Sequence, residues 1–475
     1  MRRLGLSLVT ATLVTSSGFS SEISPWISNM KIDGQFKLWY QTMNHSGGDD
    51  KGFFQYDKNQ PNEWGNIEAS ISMHGEANDH LKYKMTLMTV STLGLEGHIV
   101  AGETSRAGTT GASNGTMPQP FWIHEAYLDY VLTGNTDIKF GRMELDTPLA
   151  YTEKWNATAN SFEALVLMNT DIQDTTLVGA WVAKGNGMNI APGGTKPGLV
   201  QAPQVFGAES KYSGYMSFEE LGNTGGAFAF GAINKSIPSM PIQIWAYDVP
   251  QVAQALWAQV DGNIKDLGPL KNSSIQIVGA SMGARGRAED FINSVSDTKD
   301  TVAFSAKVAS SFDIFNAYAA FSTIGKGNLP IANTATYFKK TKIPTASIFS
   351  DGMVAAQPDT TSWKIGAGAK FDGIGSLSVS YAGYSIGQNE GYLNPNKNVA
   401  GPASMGYIAQ NILKDDIDLN EFDIVFKTKF KDLDVAFMYI NVSETYVPIL
   451  GSANPTEGYG TLSDEIIRVV ASLKF

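Results

Sequence analysis

The sequence predicts an all-β fold: a transmembrane antiparallel up-and-down barrel of about 18 strands. Three observations predict it. Apolar and polar residues alternate with period two along most of the chain. Short and long connections take turns between the alternating stretches. Beyond the N-terminal segment there is no run of the roughly 18 apolar residues that a membrane helix needs. A helical membrane protein is thereby excluded. A closed barrel still crosses a bilayer, because closure pairs every backbone N–H and C=O.

Taken in order, residues 1–20 read as an export signal. Arg2 and Arg3 form a basic head, Leu4 to Val14 a short apolar run, and Gly18-Phe19-Ser20 a small-residue cleavage region, with cleavage expected near Ser20. Residues 21–475 are expected to form the barrel. The first hairpin places Ile67, Ala69, Ile71 and Met73 beside Leu81, Tyr83, Met85 and Leu87. Trp122, Ala126, Leu128 and Tyr130 lead through Gly134-Asn135 to Ile138 and Phe140. Phe162, Ala164, Val166 and Met168 read as the oily face of the next strand, followed by Thr175, Leu177, Gly179 and Trp181. Strands near 225–234, 240–248, 254–261 and 274–284 come next. The connection 249–253 is short for an outer loop and 262–273 long for an inner turn, and Val252, Leu256 and Val260 also fit a helix. Val302, Phe304, Ala306 and Val308, then Phe315, Ala317, Ala319 and Phe321, make another hairpin, and Trp363 to Phe371 leads through Asp372-Gly373 to Leu377, Val379 and Tyr381. The clearest pair runs from Phe422 to Phe430, turns at Lys431-Asp432, and returns through Leu433, Val435, Phe437 and Tyr439. The last strand carries Ile467, Val469, Ala471, Leu473 and Phe475 on one face, and a terminal Phe475 resembles the signal read by the barrel-assembly machinery.

The long connections 43–63, 91–120, 185–224, 323–360, 385–419 and 442–463 are expected outside and the short turns inside. Trp122 and Tyr130, eight positions apart on one predicted face, fit two aromatic girdles.

Composition narrows the function. The chain has no cysteine, which removes disulfides, thiolate metal sites and cysteine nucleophiles. A net charge of -11 argues against nucleic acid. The five histidines are His45, His74, His80, His98 and His124. Only His124-Glu125 looks like a catalytic pair, and strict alternation would put these neighbours on opposite faces. No nucleophile elbow, phosphate loop or zinc signature occurs. The reading is not an enzyme.

The segment Lys139-Phe140-Gly141-Arg142-Met143-Glu144-Leu145-Asp146-Thr147-Pro148-Leu149-Ala150 resembles the OprD-like (Opr) family of outer-membrane porins. It is most similar to the major outer-membrane porins of ε-proteobacteria. Tyr151 to Asn156, Asn160 to Ala164, Asp174 to Val178 and Tyr247 to Pro250 continue the resemblance. It implies an 18-stranded barrel, a homotrimer, and an internal loop that narrows the pore.

The residues themselves place 144–160 as the third external loop. Folded inward, it would bring Glu144, Asp146, Glu153 and Lys154 to a constriction. Arg142 shares the parity of Ile138 and Phe140, which face lipid, so a bulge or bend at Gly141 is expected to turn it into the lumen. Lumen parity also falls on Lys37, Glu68, Lys82, Lys84, Glu125, Asp129, Lys427, Lys429 and Arg468. No cofactor is expected. Asp146, Glu153, Asp49 and Asp50 are weak candidates for structural calcium. The function expected is passive diffusion of ions and small hydrophilic solutes with weak cation preference. The alternatives are a substrate-specific channel, or a sealed barrel serving as adhesin or anchor. Expected surroundings are outer-membrane lipid and lipopolysaccharide.

Overall fold

The computed structural model describes residues 29–46, 52–55, 63–91, 121–154, 157–185, 216–217, 226–251, 253–267, 270–286, 289, 300–327, 329–334, 340–387, 417–446 and 460–475. The expected signal segment, Asp49 and Asp50 lie outside the described residues. Eighteen strands form the barrel. The first nine are β1 (Lys31–Ser46), β2 (Glu63–Asn78), β3 (Leu81–Ser91), β4 (Phe121–Thr133), β5 (Thr136–Met143), β6 (Phe162–Asn169), β7 (Thr175–Gly185), β8 (Ala227–Asn234) and β9 (Ile242–Val249). The rest are β10 (Ala253–Leu267), β11 (Leu270–Ala284), β12 (Thr301–Phe312), β13 (Phe315–Ile324), β14 (Thr360–Phe371), β15 (Gly375–Ile386), β16 (Ile417–Phe430), β17 (Leu433–Tyr446) and β18 (Gly460–Lys474). A two-residue strand, Met216–Ser217, adds to the end of β7 outside this circle.

Each strand pairs antiparallel with its sequence neighbours, and β1 closes on β18 from Gln35↔Lys474 to Ser46↔Ser463. The seam is extended by Gly34 and Phe475, which exchange backbone hydrogen bonds of 2.8 and 3.1 Å. Closure leaves no sheet edge, the condition for burying a sheet in lipid. The outward face is apolar around the girth. Phe36, Ile71, Leu87, Leu128, Phe140, Leu165, Phe230, Ile244, Leu256, Phe304, Phe321, Ile365 and Phe437 are all exposed there. An apolar surface this continuous needs a bilayer to cover it.

Turn chemistry agrees with the sequence. Lys431 opens the two-residue turn between β16 and β17 at φ 56°, Asp313 sits at φ 51° between β12 and β13, and Gly373 at φ 72° between β14 and β15. Positive φ twists a tight hairpin with the strands it joins, and none of these positions carries a β-branched side chain.

Four sequence expectations are corrected. β10 and β11 are 15 residues each and run well past the expected bounds 254–261 and 274–284. The region 262–273 is not a long turn, because β10 and β11 pair almost to their tips at Leu267↔Leu270. Earlier in β10, Leu256 is exposed on the outer face while Ala255 and Trp257 are buried, which is strand and not helix.

The third correction concerns β4. Thr86 pairs with Glu125 but Leu87 pairs with Ile123, so His124 is the extra residue of a bulge. Beyond it parity inverts. Trp122 turns inward to pack with Met88 and Val90, while Ile123 faces out, so Trp122 and Tyr130 do not share a face.

The fourth concerns β6, whose residues Phe162, Ala164 and Val166 are buried on the inner side while Leu165 and Leu167 are exposed. This strand is apolar on both faces, so alternation alone does not tell which face meets lipid.

The interior is consequently two-sided. Along β6–β12 the inner wall is apolar and packed, with Trp245, Tyr247, Trp257, Val278 and Met282 in one buried cluster. Along β1–β4 and β14–β18 it carries the charges.

Candidate functional site

The loop 144–161 after β5 folds into the barrel. It begins as a small hairpin. Asp146 and Tyr151 form a bridge, Thr152 N–H donates to the Leu145 carbonyl at 2.7 Å, and Thr147 Oγ1 donates to the Ala150 carbonyl at 2.6 Å. Pro148 suits such a tip because its φ is already fixed. Leu149 is fully buried in the apolar wall, and its N–H donates to the Tyr247 hydroxyl at 3.2 Å.

A second inward loop, 325–359 between β13 and β14, meets the first. The sequence places 323–360 as one more external loop, whereas Leu329, Ile331 and Ile343 are buried inside the barrel. Asn333 is the junction: its Oδ1 accepts from Tyr151 N–H at 3.2 Å, and its Nδ2 donates to the Tyr151 carbonyl at 2.9 Å and to Glu153 Oε1 at 3.1 Å. Thr334 adds two 2.8 Å bonds to the Leu149 carbonyl, from N–H and hydroxyl. Lys342 pairs with Asp146 and lies 4.9 Å from the Tyr151 ring centroid. Burial first, then the charges of Asp351, Glu153 and Asp146, push the Tyr151 phenol far above its ordinary range.

The second loop is anchored on the opposite wall. Glu421 of β16 is fully buried, and its two oxygens accept the N–H groups of Phe349 at 2.8 Å and Ser350 at 2.6 Å. Lys364 of β14 donates to the Ala346 carbonyl at 2.9 Å and lies 4.0 Å from Asp423. The Tyr384 hydroxyl donates to the Thr345 carbonyl at 2.7 Å. A short helix, α1 (Gly352–Ala355), follows Asp351, whose carboxylate holds Lys340 at 2.8 Å. Apolar Leu329, Ile331 and Ile343 plug this loop into the β6–β13 wall. That run of buried aliphatics was the available sequence signal, since a solvated loop has no use for it.

Of the predicted constriction residues, four gather at the loops. Glu144 accepts from His124 Nε2 at 3.0 Å and pairs with Lys154. Burial opposes its ionisation, but those two partners outweigh burial and hold its pKa down at about 2. The Lys154 carbonyl accepts from Lys37 Nζ at 3.3 Å, which ties the loop to β1. Glu153 is buried against Asn333. Asp146 remains exposed beside Lys342.

Arg142 is a correction. Gly141 does bend, at φ 122°, and a Cβ there would meet the Ala126 carbonyl at 2.3 Å. The register runs on unbroken, however: Phe140↔Leu165, then Arg142↔Glu163. Arg142 therefore stays on the outer parity, at the loop end of β5. Its guanidinium donates to Glu163 at 2.6 Å and to the Ile123 carbonyl at 2.7 Å. Bonding, rather than inward rotation, meets the cost of that charge.

The wall residues keep lumen parity. Lys37 stands opposite Glu68, which accepts from Gln35 at 2.9 Å. Lys84 pairs with Glu125, and His124 joins Glu125 inside the barrel because of the bulge. Asp129 lies 3.7 Å from Lys139, Lys82 3.7 Å from Glu76 and Lys429 3.7 Å from Asp434. Arg468 lies over Trp39 and donates twice to Gln41, at 3.0 and 2.8 Å. Lys427 is exposed at the short-turn end. Asp146 and Glu153 are engaged by Lys342 and Asn333, and among the described residues no group of three or more acidic or histidine side chains converges as a metal site.

The barrel fold has counterparts among solved structures. The chain superposes on Pseudomonas aeruginosa OpdO with TM-score 0.61 and 11% identity, covering 95% of this chain and 98% of that one. For P. aeruginosa OpdF, crystallised with glucuronate, the TM-score is 0.63 at 10% identity, over 95% and 99%. For P. aeruginosa OpdK, crystallised with vanillate, it is 0.62 at 10%, again over 95% and 99%. The shared feature is the fold, an 18-stranded closed barrel. No family model matches the sequence, and no curated protein does.

Proposed function

We propose that this chain is an exported bacterial outer-membrane channel, active as a homotrimer, that passes small hydrophilic solutes selectively by chemical class. One observation carries the reading. Two inward loops, joined through Asn333 and anchored on facing walls, bring Lys37, Lys154 and Lys342 together with Glu144 and Asp146 across the lumen. Mixed charges at a narrow passage orient a polar solute and hold back an apolar one. The second loop adds its own charges and hydrogen bonds at the passage, which favours a substrate-selective channel over the general diffusion expected from sequence. The glucuronate and vanillate held by two proteins of the same fold support small organic acids as the class to try first. No catalytic role is assigned to any residue.

Liposome swelling with solutes graded in size and charge, alongside single-channel recording, tests this. Permeation ordered by chemical class is the expected outcome. Permeation ordered by mass alone would return the protein to general diffusion, and a folded barrel with no conductance would make it a sealed anchor.

A further inference from the structure

At the short-turn end, a cavity of about 570 Å³ opens between the β14–β15 turn and the ends of β16–β18. No residue of the loop junction lines it. Register sets its floor. Lys370 pairs with Ser376, Ser376 with Lys427, and Lys427 with Ala436, so these four lie side by side across four strands on the inner face. With strands about 4.8 Å apart, the two lysines stand roughly 10 Å from each other with the serine hydroxyl between them. Neither lysine ammonium has a partner among the described residues. Lys429 adds a third cation, and two carboxylates also line the cavity, Asp434 at 3.7 Å from Lys429 and Asp372 in the β14–β15 turn. Beyond Ala436 the floor continues to the apolar Val470, with Ser472 at its edge.

We infer that this cavity is a binding site for a small organic carboxylate, with the acid group between Lys370 and Lys427 and an apolar body against Ala436 and Val470. Two cations held apart by a hydroxyl complement a carboxylate's oxygens. An apolar floor beside them favours an organic acid over an inorganic anion. The site would hold solute at the inner mouth after it clears the loops. Its sidedness rests on the channel reading, but binding does not.

Benzoate is the probe, titrated calorimetrically into the full-length barrel in detergent, with inorganic phosphate as the all-polar comparison. Saturable benzoate binding is expected, weakened about tenfold in K370S/K427S and retained in K370R/K427R. Both lysines are exposed, so the variants should fold, which heat-modifiable gel mobility checks. Unchanged affinity in the serine variant overturns the site, and phosphate binding as tightly as benzoate overturns the organic-acid assignment. In planar bilayers, benzoate added on the short-turn side should block at lower concentration than on the loop side, and the serine variant should abolish that difference. Binding without conductance would refute the channel and leave the site standing.

Discussion

Replacing Glu421 by alanine should release the second loop without opening the barrel. In the native protein one fully buried carboxylate accepts two loop N–H groups, from Phe349 at 2.8 Å and Ser350 at 2.6 Å. Hydrogen bonds to a charged group contribute roughly 1.5–3 kcal/mol each, so the pair is worth about 3–6 kcal/mol. Some of this is offset, because removing Glu421 also removes its repulsion with Asp423 two residues on along the same face. A net loss of about 3 kcal/mol moves the docked-to-undocked ratio roughly 150-fold. The barrel should persist, since Glu421 pairs with Ala382 and Val442 through backbone atoms. Tyr384 and Lys364 keep part of the anchorage, so the loop should fluctuate rather than leave. Two readouts apply to the variant in vesicles. Trypsin should cut after Lys340 or Lys342 far faster than in wild type, and single-channel current should become larger and noisier. Native cleavage rate and native current in a folded variant would refute the claim that Glu421 holds the loop.

Three further outcomes are expected. Asn333→Ala removes three hydrogen bonds to the first loop and strands the Tyr151 backbone groups, so loop docking should weaken by about 2–4 kcal/mol, read as raised current noise and a larger solute cutoff in liposome swelling. Glu144 has its pKa depressed from an ordinary 4.5 to about 2, so its stabilising contribution is complete above about pH 4.5 and is lost as pH falls through 2. Glu144 therefore stays ionised from pH 7 to 4, and Glu144→Gln should shift the reversal potential by the same amount at both ends of that range. Arg142→Leu should leave the reversal potential unchanged, because Arg142 is on the outer face. A denaturation cycle with Glu163→Leu should show coupling of about 1 kcal/mol or more, and absence of coupling would refute the outward pairing.

Most strands were legible because each carries a strong contrast between its faces. Phe422, Ile424 and Phe426 against Asp423 and Lys427 admit one orientation, since a one-residue slip would put charge in lipid. The same contrast located Lys37, Glu68, Lys84, Lys427 and Arg468 on the inner wall. It failed where contrast is missing, as in β6, with Phe162 and Leu165 both apolar. It failed also at His124, because a bulge depends on the partner strand: the extra residue is visible only once Thr86 is matched with Glu125 and Leu87 with Ile123. For Arg142 the error ran the other way. The local rule that charge avoids lipid suggested rotation, whereas Glu163, 21 positions away, meets the charge in place.

By itself the sequence determined the architecture: alternation set the strands, turn residues their hairpin partners, and strand count with chain order the closed circle. These are properties of neighbours along the chain, where period and spacing are local. The first inward loop was expected, but the second loop and the contacts that assemble the passage were decided by tertiary structure. Asn333 reaches Glu153 across 180 positions, Lys342 meets Asp146 across 196, and Glu421 holds Ser350 across 71. No periodicity encodes such contacts, because irregular loops have no repeating face, and their position follows from which buried donor finds which acceptor once the wall around them is closed.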